Sequence, residues 1–278
     1  MKKISFVLVA VLLAFQNINA DNWITSFEEA QKIALATDKL LLVDFWATWC
    51  GPCKRMDFES WSKDEVKLLM QNFVPVKIDI DSNKSLASNY GVRGIPFIFL
   101  MDGNGKVLYK EMSYKSKDQV LNLLTKYSIS TSLFKQNLIN YYKNPNFATA
   151  FQLASRYNDF SIYFNEDVRM DILNVSKDYF SDSQKLLKKS DIENKDEFEQ
   201  KIEMYEIQEA IILNNTKKAN KLLDKIKEES LSSINKSFFY FLKYLTCKKM
   251  EDETQAIFYD KKLSEKDKLK VITFLKAI

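Results

Sequence analysis

The first half of the sequence alternates between two hydrophobic patterns. Apolar residues three or four positions apart predict amphipathic helices, whereas short continuous or alternating apolar runs predict buried strands. The predicted helices lie at 26–37, from 52 onward with a restart near Ser62 and Glu65, at 84–90 and at 116–127, and the predicted strands at 40–47, 73–81, 95–101 and 106–112. This order predicts an α/β domain whose mixed central sheet is covered by helices on both faces.

The second half of the sequence has a different character. After Tyr127 the chain contains no glycine and one proline, Pro145, and apolar residues keep a helical spacing. Segments 198–213 and 218–226 predict an antiparallel helix pair. We therefore expect an all-α domain, which is either an irregular helical bundle or a tetratricopeptide-like array. The predicted division is a first domain at 21–127 and a helical domain at 128–278.

The N-terminus has the layout of a targeting segment. Lys2 and Lys3 precede a mainly apolar run at 4–15, and a polar stretch leads to Ala20. This pattern predicts a signal peptide at 1–20 and export to the periplasm or an equivalent extracytoplasmic space. The alternative is an uncleaved anchor, although the run is shorter than the roughly 17–25 residues of a membrane-spanning helix.

Composition excludes several classes of function. The 41 basic and 37 acidic residues are nearly balanced, so no nucleic-acid partner is predicted. The chain has no histidine, which excludes Ser-His and Cys-His catalysis and removes the commonest transition-metal ligand. With three cysteines and no histidine, a structural zinc site lacks its four ligands, and we expect no metal.

Two cysteines follow directly after a predicted strand and begin a helix, in the motif Cys50-Gly51-Pro52-Cys53. Free backbone N–H groups at a helix N-terminus favour a thiolate, which predicts that Cys50 is the nucleophile. Pro52 suits the first turn because its missing N–H has no partner there. Cys53 lies within reach of Cys50 and is predicted to resolve mixed disulfides, forming the Cys50–Cys53 disulfide.

Other interpretations of the cysteines are weaker. Covalent haem attachment needs a histidine where Lys54 stands. A purely structural disulfide remains an alternative, but the strand–CxxC–helix context in an exported chain favours redox chemistry. The third cysteine, Cys247, is predicted to be a buried free thiol, with a regulatory or intermolecular disulfide as its alternative.

The segment at 43–54, VDFWATWCGPCK, closely resembles the active-site segment of the thioredoxin family. Gly94-Ile95-Pro96 resembles the loop that carries the family's cis-proline. The resemblance covers about residues 22–127 and is nearer to secreted thioredoxin-like domains than to the small cytosolic thioredoxins. It implies a thioredoxin fold and a thiol–disulfide oxidoreductase that acts on protein disulfides with no cofactor beyond its dithiol.

The same resemblance implies roles for further residues. Asp44 would be a buried carboxylate that takes the proton of Cys53, and Lys77 would lie near it. The Ile95 backbone would pair with an extended substrate strand beside the cis-proline. The residues that the resemblance assigns to substrate binding are Trp49, Gly51, Pro52, Ile95 and Pro96.

One residue departs from the family pattern beside the expected active-site surface. Ser113 stands where the family usually has a glycine, with the bulky Met112 and Tyr114 alongside. Glycine there lets a partner approach the backbone closely, so the departure predicts a narrower choice of partners.

These features favour an extracytoplasmic reductase of protein disulfides. Because such a compartment is oxidising, a reductase there would receive electrons from a membrane thiol donor. An oxidase or isomerase is the alternative within the same class of enzyme. From a different class, an interaction or chaperone protein would bind a partner through its helical domain, and that domain would select clients if both functions are combined.

Overall fold

The computed structural model describes residues 23–278, and the predicted signal peptide therefore lies outside the described residues. The first half has the predicted order of helices and strands, and the α/β fold class is confirmed. Its helices are α1 (Phe27–Thr37), α2 (Gly51–Met56), α3 (Asp64–Met70), α4 (Lys84–Asn89) and α5 (Lys117–Tyr127), and its strands are β1 (Leu40–Trp46), β2 (Phe73–Asp79), β3 (Phe97–Met101) and β4 (Val107–Met112).

The four strands form one sheet in the order β2-β1-β3-β4. β1 pairs in parallel with β2 and antiparallel with β3, and β3 pairs antiparallel with β4. The carboxyl ends of β1, β2 and β4 therefore lie at the same end of the sheet. The central strand β1 is buried on both faces, which explains its nearly continuous apolar sequence.

The alternation of side chains along β1 divides the core into two layers. Leu41 and Val43 face α1 and α4, whereas Leu40 and Leu42 face α2, α3 and α5. Because successive side chains of a strand point to opposite faces, Asp44 belongs to the second face, beneath α2.

The helix that begins at the cysteine pair is interrupted as predicted, but Ser62 does not cap the restart. A π-helical turn at Asp57–Trp61 separates α2 from α3. Ser62 ends this turn, and its hydroxyl donates to the Phe58 carbonyl at 2.7 Å. The restart predicted near Ser62 and Glu65 therefore follows Ser62, with Lys63 at the N-cap of α3.

The second half is helix-rich, as predicted. The predicted pair at 198–213 and 218–226 corresponds to the helices Lys195–Ile212 and Thr216–Leu223, and Ala210 and Ala219 are buried in their shared core. Among residues 23–278, no helix combines the length and hydrophobicity needed to cross a membrane. The helices of this half are α6 (Lys135–Lys143), α7 (Phe147–Phe160), α8 (Glu166–Lys188), α9 (Lys195–Ile212), α10 (Thr216–Leu223), α11 (Ser233–Lys249), α12 (Glu253–Asp260) and α13 (Glu265–Ala277).

The turn between β3 and β4 is one of the places where the two halves meet. Asp102 in this turn is buried, and it accepts hydrogen bonds from the hydroxyls of Tyr157 at 3.0 Å and Tyr179 at 2.7 Å. Burial raises the pKa of Asp102, and these hydrogen bonds oppose the rise. Because Leu41 pairs with Met101, this junction lies at the start of β1, away from the cysteine pair that follows its end.

The junction gives a prediction about stability. We expect Asp102→Ala to lower the free energy of unfolding by about 2–3 kcal/mol, because two buried hydroxyls lose their acceptor. Urea unfolding measures this change. Adding Tyr157→Phe and Tyr179→Phe to Asp102→Ala should restore part of the lost free energy of unfolding, since the two tyrosine hydroxyls that lost their acceptor are then removed. An Asp102→Ala protein as stable as the wild type would contradict the prediction, and the exposed Tyr163→Phe is the control.

Candidate active site

The two cysteines of the CxxC motif form a disulfide at the N-terminus of α2. Their Cα atoms are 5.3 Å apart. A tight turn follows β1, in which the Cys50 N–H donates to the Ala47 carbonyl at 3.1 Å. Cys50 is the N-cap of α2, and its Sγ accepts a hydrogen bond from the Cys53 N–H at 3.1 Å. In the reduced protein this N–H would stabilise a Cys50 thiolate.

The disulfide is buried, whereas the neighbouring Gly51 is exposed. Cys50 and Cys53 are both buried. A Cβ atom built on Gly51 would meet nothing within 4 Å, so the space above this residue is open. Pro52 lies in the first turn of α2, as predicted from its missing N–H.

Asp44 is buried, and its environment disfavours ionisation. Burial raises the pKa of Asp44 to about 7; the Lys77 ammonium opposes this rise and the Asp57 carboxylate adds to it. Oδ1 of Asp44 has no hydrogen-bond partner among the described residues, and the Trp61 indole N–H faces the carboxyl group without completing a hydrogen bond to it. A carboxyl group with a pKa near neutrality can take up and release a proton under physiological conditions.

Lys77 lies next to Asp44 across the β1–β2 pair, where the resemblance places it. Its ammonium, however, donates to Oδ1 of Asp57. It also lies over the ring of Trp46, 4.7 Å from the centroid. Asp57 is not among the site residues predicted from the sequence, although its position four residues after Cys53 places it one helical turn further on the same face.

The loop before β3 lies against the cysteine pair. The Ile95–Pro96 peptide bond is cis, and Pro96 is buried. Ile95 packs against the cluster that contains Cys50 and Cys53. The loop therefore places the Ile95 backbone beside the disulfide, and its pairing with a substrate strand stays a prediction.

Two exposed apolar side chains flank the cysteine pair, one on the side of β2 and the other on the side of β4. Trp49 is 65% exposed, and its indole N–H donates to Asp81, which follows β2, at 2.8 Å. Met112 at the end of β4 is 53% exposed, and its Sδ is 2.6 Å from where a Cβ of Gly94 would lie. The side chain of Met112 thus packs on the backbone of the loop that precedes Ile95.

The residues after Met112 are tied to α2 and the π turn. The Arg55 guanidinium lies 4.4 Å from the centroid of the Tyr114 ring, and the Tyr114 hydroxyl donates to Glu59. Beneath them the buried Ser60 hydroxyl donates to the Lys115 carbonyl at 2.7 Å. These contacts hold the segment around Ser113 in place beside the active-site helix.

The sequence raised two other questions of chemistry, a metal site and the third cysteine, Cys247. Within residues 23–278 no three His, Cys, Asp or Glu side chains are grouped so that they could hold a metal ion. Cys247 in α11 is a free thiol, and burial raises its pKa. It is half-buried rather than fully buried as predicted, because it lies two residues, or about 200° around the helix, from the core residue Leu245.

Comparison with known proteins covers the first half of the chain. The thioredoxin family model matches residues 22–126, and the helical half is assigned to no family. The thioredoxin of Rickettsia conorii is 38% identical over 97 residues, which are 34% of this chain and 89% of the relative. The Bacillus subtilis thioredoxin is 32% identical over 99 residues, which are 34% of this chain and 88% of the relative.

Two solved structures are similar over the same region. A mutant thioredoxin of Halobacterium salinarum has 29% identity and a TM-score of 0.31, with coverage of 38% of this chain and 89% of that chain. The oxidised C-terminal domain of Neisseria meningitidis DsbD has 23% identity and a TM-score of 0.34, with coverage of 38% and 99%.

The buried carboxyl group gives a prediction about pH. The pKa of Asp44 is about 7 in the folded protein and about 3.9 when unfolded. At a pH between these two pKa values, the folded state binds more protons than the unfolded state. The free energy of unfolding therefore falls as the pH rises from about 4 to 7. We expect oxidised Asp44→Asn to lack this fall and to exceed the wild type by up to roughly 4 kcal/mol above pH 7. Urea unfolding from pH 4 to 8 measures the difference, and a constant difference across this range would refute the prediction.

Proposed function

The chain belongs to the thioredoxin family and is a thiol–disulfide oxidoreductase, and from that premise we propose that it reduces protein disulfides in an extracytoplasmic compartment. The observation that carries the proposal is the position of Cys50 at the N-cap of α2, with its sulfur on the Cys53 N–H. This position lowers the free energy of the thiolate that attacks a client disulfide.

The first step forms a mixed disulfide. The Cys50 thiolate attacks one sulfur of the client disulfide and forms a new S–S bond to it. The client's own S–S bond breaks, and its other sulfur leaves as a thiolate that takes a proton from water. The client would approach Cys50 from the side of the exposed Gly51, where a Cβ atom would meet nothing within 4 Å.

The second step resolves the mixed disulfide. Asp44 in its carboxylate form takes the proton of the Cys53 thiol, and a pKa near 7 suits this transfer. The Cys53 thiolate then attacks the sulfur of Cys50, the Cys50–Cys53 disulfide forms, and the second client sulfur leaves as a thiolate. Two electrons pass from the dithiol to the client disulfide.

The surface around the pair supports binding of an extended client segment. Such a segment would add to the backbone of Ile95 beside Pro96 through main-chain hydrogen bonds. The exposed side chains of Trp49 and Met112 would flank it. Because Met112 covers the backbone of Gly94, a client approaches this loop less closely than it would a bare glycine-lined surface.

The direction and location of the reaction are part of the proposal. The Gly51-Pro52 dipeptide resembles that of reducing thioredoxins, and the layout of residues 1–20 supports export. In an oxidising compartment the disulfide formed in each cycle must be reduced again by a thiol donor in the membrane. Cell fractionation followed by mass measurement tests both points, since absence from the extracytoplasmic fraction would contradict export and a product that retains Met1 would contradict signal-peptide removal.

The reduction potential of the Cys50–Cys53 pair tests the proposed direction. Equilibration of residues 21–278 against dithiothreitol and glutathione buffers, followed by thiol trapping, measures it. We expect a value near the roughly −270 mV of thioredoxin. A value between roughly −120 and −180 mV would instead indicate an oxidase or isomerase.

Single serine variants are the matched controls for the roles of the two cysteines. With insulin as the client, Cys53→Ser should accumulate a mixed disulfide on Cys50 because the resolving thiol is absent. Cys50→Ser should accumulate little, since it lacks the thiolate at the helix N-terminus. Equal trapping by both variants would contradict the assigned order of attack.

A further inference from the structure

We propose that Asp57 is a positioning residue of the redox site, which holds the Lys77 ammonium in an ion pair and so keeps Asp44 without a cationic hydrogen-bond partner. The inference rests on the proposed function, because it concerns the carboxyl group that accepts the proton of Cys53. It adds a residue outside the motif that resembles the thioredoxin active site.

The π turn after α2 brings Asp57 to this position. Residues Asp57–Trp61 form the turn, and the Ser62 N–H donates to the Asp57 carbonyl at 3.0 Å, five residues back. Such turns occur frequently at functional sites. At one end of this turn Asp57 binds Lys77, and at the other end the Trp61 indole N–H faces Asp44.

Lys77 has two carboxyl groups within its neighbourhood and binds one of them. It is the register partner of Asp44 on the adjacent strand, yet its ammonium donates to Asp57. The rings of Trp46 and Trp23, with centroids 4.7 Å and 5.7 Å away, lie against the same ammonium. Its side chain is 13% exposed, so the ion pair and the two rings fix its position.

The other elements around Asp44 supply no competing charge. β3 places the apolar Ile98 opposite Asp44 in register. α2 contributes Cys50 and Cys53, which titrate only after the disulfide is reduced. The charged groups that act on Asp44 are therefore Lys77 from β2 and Asp57 from the π turn.

Asp57 then influences Asp44 in two ways. Its negative charge directly disfavours a second carboxylate, and its ion pair with Lys77 withdraws the nearest cation. Both effects keep Asp44 protonated to a higher pH. A purely structural ion pair would stabilise the fold without changing the titration of Asp44, which makes that titration the decisive measurement.

The experiment follows the Asp44 carboxyl carbon by NMR in oxidised protein labelled with carbon-13 at aspartate. The resonance that is absent from Asp44→Asn identifies the group. We expect Asp57→Asn to move the midpoint down by about one pH unit, because Lys77 is then free to favour the Asp44 carboxylate. The conservative Asp57→Glu should keep the midpoint near that of the wild type, and the exposed Asp64→Asn is the matched control for loss of one acid on the same segment.

A double variant distinguishes the effect of Asp57 through Lys77 from the direct effect of its charge on Asp44. In the Lys77→Met background, Asp57→Asn should move the midpoint by clearly less than it does with Lys77 present. An equal shift in both backgrounds, or no shift in the single variant, would overturn the proposal. Because the titration uses oxidised protein without a client, its result is independent of insulin reduction by the wild type, which tests the proposed function separately.

Discussion

A carboxyl group buried in the middle of a sheet is unfavourable to ionise, and the redox site is arranged around this constraint. On the face of β1 that Asp44 shares with Leu40 and Leu42, an apolar side chain would pack at a lower cost. The structure places an acid there, below the helix that begins at Cys50. A buried carboxyl group with one unpaired oxygen conflicts with its apolar surroundings, and such conflicts accompany functional sites.

The neighbours of Asp44 change the free energy of ionising it but do not remove the cost of burial. Lys77 on the next strand would neutralise a carboxylate completely if the two formed an ion pair. Burial raises the pKa of Asp44 to about 7, and Lys77, which binds Asp57 rather than Asp44, opposes this rise only in part. The site thus combines a thiolate that is favoured by the helix N-terminus with an acid whose proton is retained close to neutral pH.

The helical half docks near the start of β1, at the opposite end of that strand from the redox pair. It docks on the β3–β4 turn through Asp102, and the Lys135–Asp38 ion pair at 3.1 Å joins it to the residues just before β1. β1 separates this junction from Cys50 by roughly 20 Å. The loop at Ile95 and the exposed Gly51 lie at the far end of β1 from this junction.

Local patterns in the sequence predicted the fold of the first half and the position of the cysteine pair, because strand alternation and helix starts depend on neighbouring residues. The docking of the helical half was not predictable in this way, since Tyr157 and Tyr179 reach Asp102 across 55 and 77 residues. Asp57 was missed for a related reason. An acid on the surface of a helix has the same local pattern whether it is solvated or paired, and only the π turn and the register of β2 bring it to Lys77. The residues that tune a site are therefore harder to predict than those that carry its chemistry, since their effect depends on long-range packing.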